Sequence, residues 1–295
     1  MMRQLLLALL LLATGLPAAA DTVIHREKSL YTNIVVKQSG DRRCLAFSVR
    51  RQHRNQTCMD TTDPKRVVFP YVRMTFAALL VNPQPRRALM IGLGGGTISN
   101  VLIDIYPDLE IDLVEVDEAV VKVAREYFEF QETENTHVHI VDGRVFVRRA
   151  VVNEEKYDLV ILDAFTGEYI PEHLMTLEFL EDVRSVLTDD GVAVANTFAV
   201  SELYDHESVT YSQVFGPFLN LKMPGTGNRV IVTSQAGLPD NDTLLGNANK
   251  LNPLFEAYDV NLRSFIDNLD RTPDWNTRKR PLTDQFSPAN LLRNR

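Results

Sequence analysis

Downstream of residue 86, short apolar runs alternate with segments whose apolar residues recur at the spacing of an amphipathic helix. The runs predict buried strands at residues 88–92, 111–117, 137–142, 157–165 and 191–198. The segments between them predict helices at residues 98–106, 118–128 and 179–187. Because parallel strands need crossover connections, and these connections are helical, the order predicts an α/β domain with a parallel sheet covered on both faces.

The sheet is predicted to close with a hairpin. Residues 218–224 and 228–234 have the pattern of two strands joined by a glycine-containing turn at 225–227. An antiparallel closing strand is usual for AdoMet-dependent enzymes and unusual for dinucleotide dehydrogenases. We therefore expect a Rossmann-like sheet of the class I AdoMet-methyltransferase type.

The segment before this sheet has a different pattern. Short β-rich runs at residues 30–38, 44–51 and 55–59 predict a small antiparallel unit. Residues 67–81 have apolar positions at helical spacing and predict a helix that two prolines stop. The predicted organisation is a leader at 1–20, an N-terminal β unit at 21–70, a nucleotide-binding domain at 71–240 and a C-terminal helical tail at 241–295.

The N-terminal pattern matches a secretory signal peptide. Arg3 precedes an apolar run at residues 5–13, and the small residues at 18–20 favour cleavage after Ala20. The apolar run is short for a bilayer span, and an uncleaved membrane anchor is the alternative. We expect a mature protein that is periplasmic or secreted, without stable membrane insertion.

The chain has two cysteines, Cys44 and Cys58. If the strands around them fold back near residues 50–52, the two cysteines lie opposite each other. In an oxidising compartment the pair can form a disulfide, and two unpaired thiols are the alternative. The scattered histidines and the cysteine spacing do not indicate a metal site. A net charge of −8 argues against nucleic acid as a partner.

A nucleoside site is predicted at the carboxyl ends of the parallel strands, where open α/β sheets bind ligands. The first strand leads into the turn GLGGGT at residues 92–97. Its glycines, Gly92, Gly94, Gly95 and Gly96, let the backbone turn tightly and approach a ligand without a Cβ between them. The turn by itself is weak evidence for a nucleotide.

Acidic residues end the next two strands. Glu115 follows the glycines by about 20 residues, where a carboxylate can accept hydrogen bonds from ribose hydroxyls. Asp142 and Gly143 end the third strand, where the carboxylate can accept from an adenine amino group. Each acid taken singly is more simply a solvated loop residue or a helix cap. Together with the glycines, they favour a nucleoside site.

The fourth strand leads to the candidate for the reaction. It runs into a polar loop with Asp163 at the mouth of the sheet, and Glu168, Tyr169 and His173 follow closely. A helix-capping role is the alternative for Asp163. Its place beside the expected sulfur end of the nucleoside favours a role in the chemistry or in positioning a substrate.

These segments resemble the spermidine synthase (polyamine aminopropyltransferase) family. The resemblance rests on GLGGGTISNVL, VEVDEAV, VDGRVFV and YDLVILDAF, which occur in the family's order and approximate spacing. Gln56 lies in a run that resembles the family's glutamine-containing strand, and Tyr71 in a segment that resembles the approach to the nucleotide domain. The resemblance covers about residues 28–290 and extends to the spermidine synthase-like branch often fused to membrane transporter domains.

The resemblance implies a transferase of polyamine biosynthesis. In this family an amine attacks the methylene carbon beside the sulfonium of decarboxylated S-adenosylmethionine, and methylthioadenosine leaves. By resemblance, Gln56 and the glycine turn contact the nucleoside or its aminopropyl arm. Glu115 would hold the ribose, and Asp142 and Gly143 the adenine.

The same resemblance assigns the amine site. Asp163 would position the acceptor amine and accept its proton, with Tyr71, Glu168 and Tyr169 as further substrate contacts. The expected partners are a small-molecule amine and decarboxylated S-adenosylmethionine, with no metal. Family resemblance also suggests a homodimer, although the sequence shows no interface pattern.

Two departures from the family pattern concern the acceptor. The family's loop carries two acids, whereas here Asp163 is followed by Thr166 at the second position. Val72 and Arg73 follow Tyr71 where the family has an acidic residue. A doubly charged polyamine loses anionic partners, and Arg73 can repel it, so putrescine specificity is not expected.

Two other functions stay open. An AdoMet-dependent methyltransferase would share the fold and the nucleoside pocket, with S-adenosylmethionine as its co-substrate. A non-catalytic protein that binds a nucleoside or a polyamine is favoured by export, because sulfonium donors are not normally expected outside the cytoplasm.

Overall fold

A computed structural model describes residues 21–49, 52–165 and 169–288. The predicted leader at 1–20, together with Thr166 and Glu168, lies outside the described residues. The N-terminal sheet is antiparallel, with its strands in sequence order. These strands are β1 (Thr22–Lys28), β2 (Asn33–Ser39), β3 (Arg42–Val49) and β4 (Gln52–Asp60).

The sequence predicted this antiparallel unit but missed β1. Residues 22–28 are exposed or half-buried along their whole length, so they give no apolar run. β1 pairs with β2 along its length, and two side-chain contacts near its C-terminal end tie it to the main domain. Lys122 donates to Glu27, and the hydroxyl of Ser29, just after β1, donates to Asp117.

The main sheet has eight strands in the order β12-β10-β11-β9-β8-β5-β6-β7. The strands are β5 (Arg87–Ile91), β6 (Glu110–Glu115), β7 (Thr136–Ile140), β8 (Tyr157–Leu162), β9 (Leu187–Phe198), β10 (Leu219–Leu221), β11 (Asn228–Ser234) and β12 (Leu269–Asp270). Strands β5 to β9 are parallel, and β11 joins β9 antiparallel. The predicted fold class, with its closing hairpin, is confirmed.

Helices connect the strands and cover the sheet. They are α1 (Pro70–Thr75), α2 (Thr97–Ile105), α3 (Glu118–Tyr127), α4 (Gly143–Val152), α5 (Leu177–Ser185), α6 (Tyr204–Phe215), α7 (Asn241–Phe255) and α8 (Arg263–Ile266). The sequence did not predict α4 or α6. α6 buries polar residues such as Glu207 and Ser208, which weakens the apolar period that identifies a helix.

Two predicted helical segments differ from the structure. The helix predicted at 67–81 begins at Pro70, because Phe69 precedes a proline and is extended, and it continues as a 3₁₀ helix over Phe76–Leu80. The C-terminal tail is not purely helical, because β12 adds to the sheet edge beside β10. Farther on, Leu282 returns to the main domain, where its carbonyl accepts from the Leu177 N–H at 2.8 Å.

The central strands have a core on each face. Met90 packs into one cluster with residues of α2 and α7, whereas its neighbours Leu89 and Ile91 pack with residues of α4 and α5. A third cluster joins the N-terminal sheet to α3, through residues such as Ile34 and Val120. This docking brings the N-terminal sheet to the carboxyl edge of the main sheet. Within the described part of the chain, no helix has the length and apolar character needed to cross a bilayer.

Candidate active site

A cavity of about 610 Å³ opens at the carboxyl ends of β5, β6 and β8. It gathers most of the residues that the sequence proposed for the site. Those lining it are Gln56, Tyr71, Gly92, Gly94, Gly95, Glu115, Asp142, Gly143, Asp163 and Tyr169. Glu168 belongs to the undescribed part of the loop.

Two glycines of the turn after β5 are required by close contacts. A Cβ on Gly92 would lie 2.5 Å from the carbonyl oxygen of Asp163, and the residue has a φ of 94°. A Cβ on Gly95 would lie 2.5 Å from the Cγ2 methyl of Thr57, on β4. The glycines therefore let the turn approach both the loop after β8 and the N-terminal sheet.

Gly96 and Gly143 both have a packing role that the sequence did not predict. Gly96 does not belong to the cavity lining; it precedes α2 with a φ of 79°, and a Cβ there would lie 2.6 Å from the ring of Phe130. Gly96 therefore has a packing role, and its contact with the nucleoside stays a prediction. Gly143 lines the cavity, and a Cβ there would lie 2.4 Å from Ile91 Cγ2, so it also lets α4 begin close to β5.

Glu115 is oriented by backbone groups. Its Oε2 accepts from the Leu93 N–H at 3.1 Å, and its Oε1 accepts from the Asp117 N–H at 3.1 Å. Burial raises the pKa of Glu115, and the hydrogen bond from Leu93 opposes that rise. Each carboxylate oxygen has two lone pairs, so both can still accept from the hydroxyls of a ribose.

Asp142 caps α4 and also lines the cavity, and its contact with the adenine stays a prediction. Its Oδ1 caps α4 by accepting from the N–H groups of Arg144 and Val145, at 3.0 and 3.1 Å. Its Oδ2 accepts from His173 Nε2 at 2.8 Å and belongs to the cavity wall. An adenine amino group at this oxygen would share it with His173.

Asp163 lies in the loop after β8 and contacts two residues from other elements, Tyr71 of α1 and Asn196 of β9. Asn196 Nδ2 donates to Asp163 Oδ1 at 2.9 Å, and Tyr71 hydrogen-bonds to the same carboxylate. Burial raises the pKa of Asp163 to about 7, and the two hydrogen bonds limit the rise. Burial and the Asp163 charge raise the pKa of Tyr71 well above its usual value, so Tyr71 stays a neutral donor.

Tyr71 also links the two sheets. Its hydroxyl lies 3.3 Å from the carbonyl oxygen of Gln56. Gln56 is the extra residue of a β-bulge, because Thr57 faces Leu45 while Asn55 faces Ala46. A bulge changes the direction of a strand and re-aims its side chains, which brings Gln56 to the cavity.

Several lining residues carried no signal in the sequence. The N-terminal unit contributes Tyr31, Thr32, Asn33 and Phe47 to the lining. Asn196 on β9 does not line the cavity and reaches the site through its hydrogen bond to Asp163. The hydrogen bond from Ser29 to Asp117 holds the turn before Tyr31 against the main domain. These contacts depend on how the two sheets dock, and no local pattern encodes that docking.

The cavity attracts cations. Four carboxylates line it, from Glu115, Asp117, Asp142 and Asp163, and no lysine or arginine is among its described lining residues. The repulsion expected from Arg73 is not supported. Its guanidinium pairs with Asp259 at 3.0 Å and donates to the Val67 carbonyl at 2.7 Å, outside the cavity lining.

Comparison with known proteins places this arrangement in a family. A model of the spermine/spermidine synthase domain matches residues 71–218. A polyamine aminopropyltransferase of Vibrio vulnificus (strain CMCP6) is 49% identical over 276 residues, which cover 92% of each chain. The chain belongs to the spermine/spermidine synthase family. The predicted family and the prediction of a transferase are thereby confirmed.

Solved structures agree on the fold. A spermidine synthase in complex with the transition state analogue AdoDATO aligns with a TM-score of 0.66 and 21% identity, covering 85% of this chain and 86% of that one. Human methyltransferase-like protein 13 in complex with SAH aligns with a TM-score of 0.58 and 22% identity, covering 76% and 100%. Because both kinds of enzyme share the fold, the residues of the site must distinguish the reactions.

The described residues show no cluster of metal ligands. Across residues 21–49, 52–165 and 169–288, no cluster of three or more His, Cys, Asp or Glu side chains is arranged to hold a metal ion. The Asp163 carboxylate and the Tyr71 hydroxyl are positioned for chemistry in the cavity, and the Asn196 amide donates to Asp163.

Proposed function

We propose that this chain transfers the aminopropyl group of decarboxylated S-adenosylmethionine to an amine. The observation that carries the proposal is the place of Asp163. It lies beside the glycine turn in a cavity lined by carboxylates, with a pKa raised to about 7 and a neutral tyrosine next to it. The cavity volume of about 610 Å³ is in the range of small-molecule sites and suits a nucleoside with a small amine.

The reaction needs a deprotonated amine. An alkylammonium group has a pKa near that of lysine, about 10.4, so it reaches the site charged and must lose a proton. A base with a pKa near the working pH is an efficient acceptor, and burial gives Asp163 that property. The free amine then forms a bond to the methylene carbon, while the carbon–sulfur bond breaks and its electron pair stays on sulfur. Neutral methylthioadenosine leaves.

The charge of the cavity favours this donor over S-adenosylmethionine. The two donors differ by the carboxylate that S-adenosylmethionine keeps. Among the described lining residues there is no lysine or arginine to receive that group, and four carboxylates would repel it. A methyltransferase is therefore the weaker interpretation, although it shares the fold.

The decisive experiment is product analysis. The mature protein is incubated with decarboxylated S-adenosylmethionine and a panel of monoamines, diamines and longer polyamines, and methylthioadenosine is measured by mass spectrometry. Asp163→Asn should lower its release by about a hundredfold or more, because a positioned base contributes at least that much. Asp108→Asn, an exposed matched change, should have wild-type activity.

Other outcomes would contradict the proposal. Methyl transfer from S-adenosylmethionine would identify a methyltransferase. Silence across the panel, with methylthioadenosine still binding, would identify a binding protein.

We also propose that the enzyme works outside the cytoplasm, as a periplasmic or secreted protein. The disulfide between Cys44 and Cys58 supports this location, because disulfides persist in oxidising compartments. Fractionation of the native cells, followed by detection of the protein, tests it. The homodimer that the family resemblance suggests is tested by light scattering of the purified protein.

A further inference from the structure

Asp163 is one end of a chain of side-chain hydrogen bonds that crosses three strands. Its Oδ1 accepts from Asn196 Nδ2 at 2.9 Å. Asn196 Oδ1 in turn accepts from Asn228 Nδ2 at 2.9 Å, and Asn228 Oδ1 accepts from the Thr226 hydroxyl at 3.0 Å. We call these four residues the amide relay.

Strand register explains why the relay forms. β8 and β9 are parallel neighbours with Leu162 beside Ala195, so Asp163 and Asn196 follow at adjacent positions. β9 and β11 are antiparallel, and Asn196 faces Val230. Asn228 lies two residues from Val230 and therefore has its side chain on the same face as Asn196.

The two ends of the relay impose the same orientation on the amides of Asn196 and Asn228. An ionised Asp163 can only accept, so Asn196 must turn its NH₂ toward it and its carbonyl toward Asn228. At the other end, the N–H of Asn228 donates to the Thr226 oxygen at 3.1 Å. The Thr226 hydroxyl proton then points to Asn228 Oδ1, which leaves the NH₂ of Asn228 for Asn196. The same orientation of each amide satisfies every group in the chain.

We propose that Asn228 is a positioning residue for Asp163, acting through Asn196. By occupying the carbonyl of Asn196 with a donor, Asn228 compels Asn196 to present its own donor to the catalytic carboxylate. Asn196 is 4% exposed, so water has little access to replace either bond. The inference rests on the proposed function of Asp163 as the base.

The consequence concerns the charge state of Asp163. Burial raises its pKa, and the hydrogen bond from Asn196 is the first effect that opposes the rise. A hydrogen bond to the charged form of a carboxyl group favours that form. The relay therefore keeps a larger fraction of Asp163 ionised, and able to take a proton from the amine, at neutral pH.

Other charged and titratable groups around the relay must be considered in a pH experiment. Tyr71 of α1 contacts Asp163 directly. The further titratable side chains of the cavity wall are Tyr31, Glu115, Asp117, Asp142, Tyr169 and His173. Behind β9, the buried Arg229 donates to Thr197 at 2.8 Å and to Glu207 at 2.9 Å. None of these is changed by the substitutions below.

Two substitutions of Asn228 test the proposal. Asn228→Leu removes the donor without adding charge, so Asn196 is no longer held. Asn228→Asp reverses the relay, because its carboxylate draws the NH₂ of Asn196 away from Asp163. We expect the acid limb of the kcat/KM profile for the amine to move to higher pH by about one unit in Asn228→Leu and by more in Asn228→Asp.

Thr226→Val is a control that should produce an intermediate effect. It removes the end of the relay but leaves Asn228 able to donate to Asn196, so the acid limb should move less than in Asn228→Leu. Binding of methylthioadenosine, measured by calorimetry, should stay at the wild-type value in all three variants. An unchanged acid limb in both Asn228 variants, with a uniform loss of kcat instead, would overturn the proposal and indicate a purely structural residue.

A measurement of stability separates this inference from the proposed activity. The folded-state pKa of Asp163 is above its unfolded value, so its contribution to stability falls as pH rises and levels off above about pH 7. In Asn228→Leu the fall should continue to about pH 8, as followed by urea unfolding at several pH values. This difference in the pH dependence of stability, between wild type and Asn228→Leu, should vanish when both proteins also carry Asp163→Asn. If the difference persists there, Asn228 does not act on Asp163, whether or not the protein transfers an aminopropyl group.

Discussion

His173 and Asp142 are joined by a hydrogen bond of 2.8 Å between Nε2 and Oδ2, which ties the segment after β8 to the cap of α4. Arg144, in the first turn of α4, links the same segment to the C-terminal part of the chain. Its guanidinium donates to the carbonyl oxygen of His173 at 3.3 Å and pairs with both carboxylate oxygens of Asp284. A residue near the C-terminus thus helps to fix the wall of the cavity where we place the adenine.

The first prediction concerns Asp142 Oδ2, which accepts from His173 and is proposed to accept from the adenine amino group as well. Asp142→Asn should weaken methylthioadenosine binding by about tenfold, because an NH₂ group in place of Oδ2 accepts neither from the adenine amino group nor from His173 Nε2. Stability should change little, because asparagine caps helices about as well as aspartate does. Calorimetry gives the affinity and thermal unfolding gives the stability.

Asp240→Asn is the matched control for this prediction. Asp240 caps α7 by accepting from the Thr243 N–H at 2.8 Å, and it is exposed and does not line the cavity. Its substitution should leave the affinity unchanged. Equal affinities of Asp142→Asn and wild type would remove Asp142 from the nucleoside site.

The raised pKa of Asp163 leads to a prediction about stability. Between pH 4 and about 7 the folded state holds this proton and the unfolded state has lost it, so ionisation of Asp163 costs stability as pH rises. Asp163→Asn should therefore stabilise the protein, by little at pH 4 and by up to about 4 kcal/mol above pH 7. Urea unfolding of both proteins across this range gives the difference. A constant difference at every pH would mean that the pKa of Asp163 is not raised.

The disulfide leads to a prediction about the donor. Cys44 and Cys58 face each other next to the bulge that presents Gln56. Replacing both cysteines with alanine should cost about 3 kcal/mol, the chain-entropy value for a loop of about 15 residues. Because the loosened bulge also carries Gln56, KM for decarboxylated S-adenosylmethionine should rise more than KM for the amine. Steady-state kinetics with each substrate varied gives the two constants.

Ile34→Val is the control for the disulfide. Ile34 is fully buried where the N-terminal sheet packs on α3, and it lies on β2, whereas the bulge is in the pairing of β3 with β4. Its substitution should cost about 1 kcal/mol with both KM values unchanged. If the donor KM rises as much in Ile34→Val as in the double cysteine variant, the effect comes from general loosening of the sheet.

The contact between Gly95 and Thr57 leads to a prediction with its own rescue. Gly95→Ala places a methyl group 2.5 Å from Thr57 Cγ2, so the turn or β4 must move, and donor affinity should fall by about tenfold or more. Thr57→Ala removes that methyl and should restore part of the affinity in the double variant. Calorimetry with methylthioadenosine on the four proteins completes the cycle. Additive losses would show that the two residues are not coupled.

The carboxyl edge of the sheet could be predicted because each of its residues follows a strand with a clear apolar run. The glycine turn, Glu115, Asp142 and Asp163 each end such a strand, and parallel strands bring their carboxyl ends to one edge. Gly96 shows what such a motif leaves open. A glycine motif shows where the backbone needs freedom, but not whether a ligand or Phe130 occupies the space.

Other parts of the site depend on pairings between distant segments. Gln56 reaches the cavity through a bulge, which depends on the register of β3 and β4. His173 meets Asp142 through the path of a loop. Asn196 and Asn228 meet through the register of β9 and β11, and neither belongs to a motif that a strand pattern would reveal.

The sequence by itself determined where most strands lie along the chain, which turn begins the nucleoside site and which acids end the strands. Local apolar periodicity and the residues at strand ends encode these features. Tertiary structure decided how far the pKa of Asp163 rises and which donors limit that rise. The charge on Asp163 depends on burial and on donors from α1 and β9, and these come together when the chain folds.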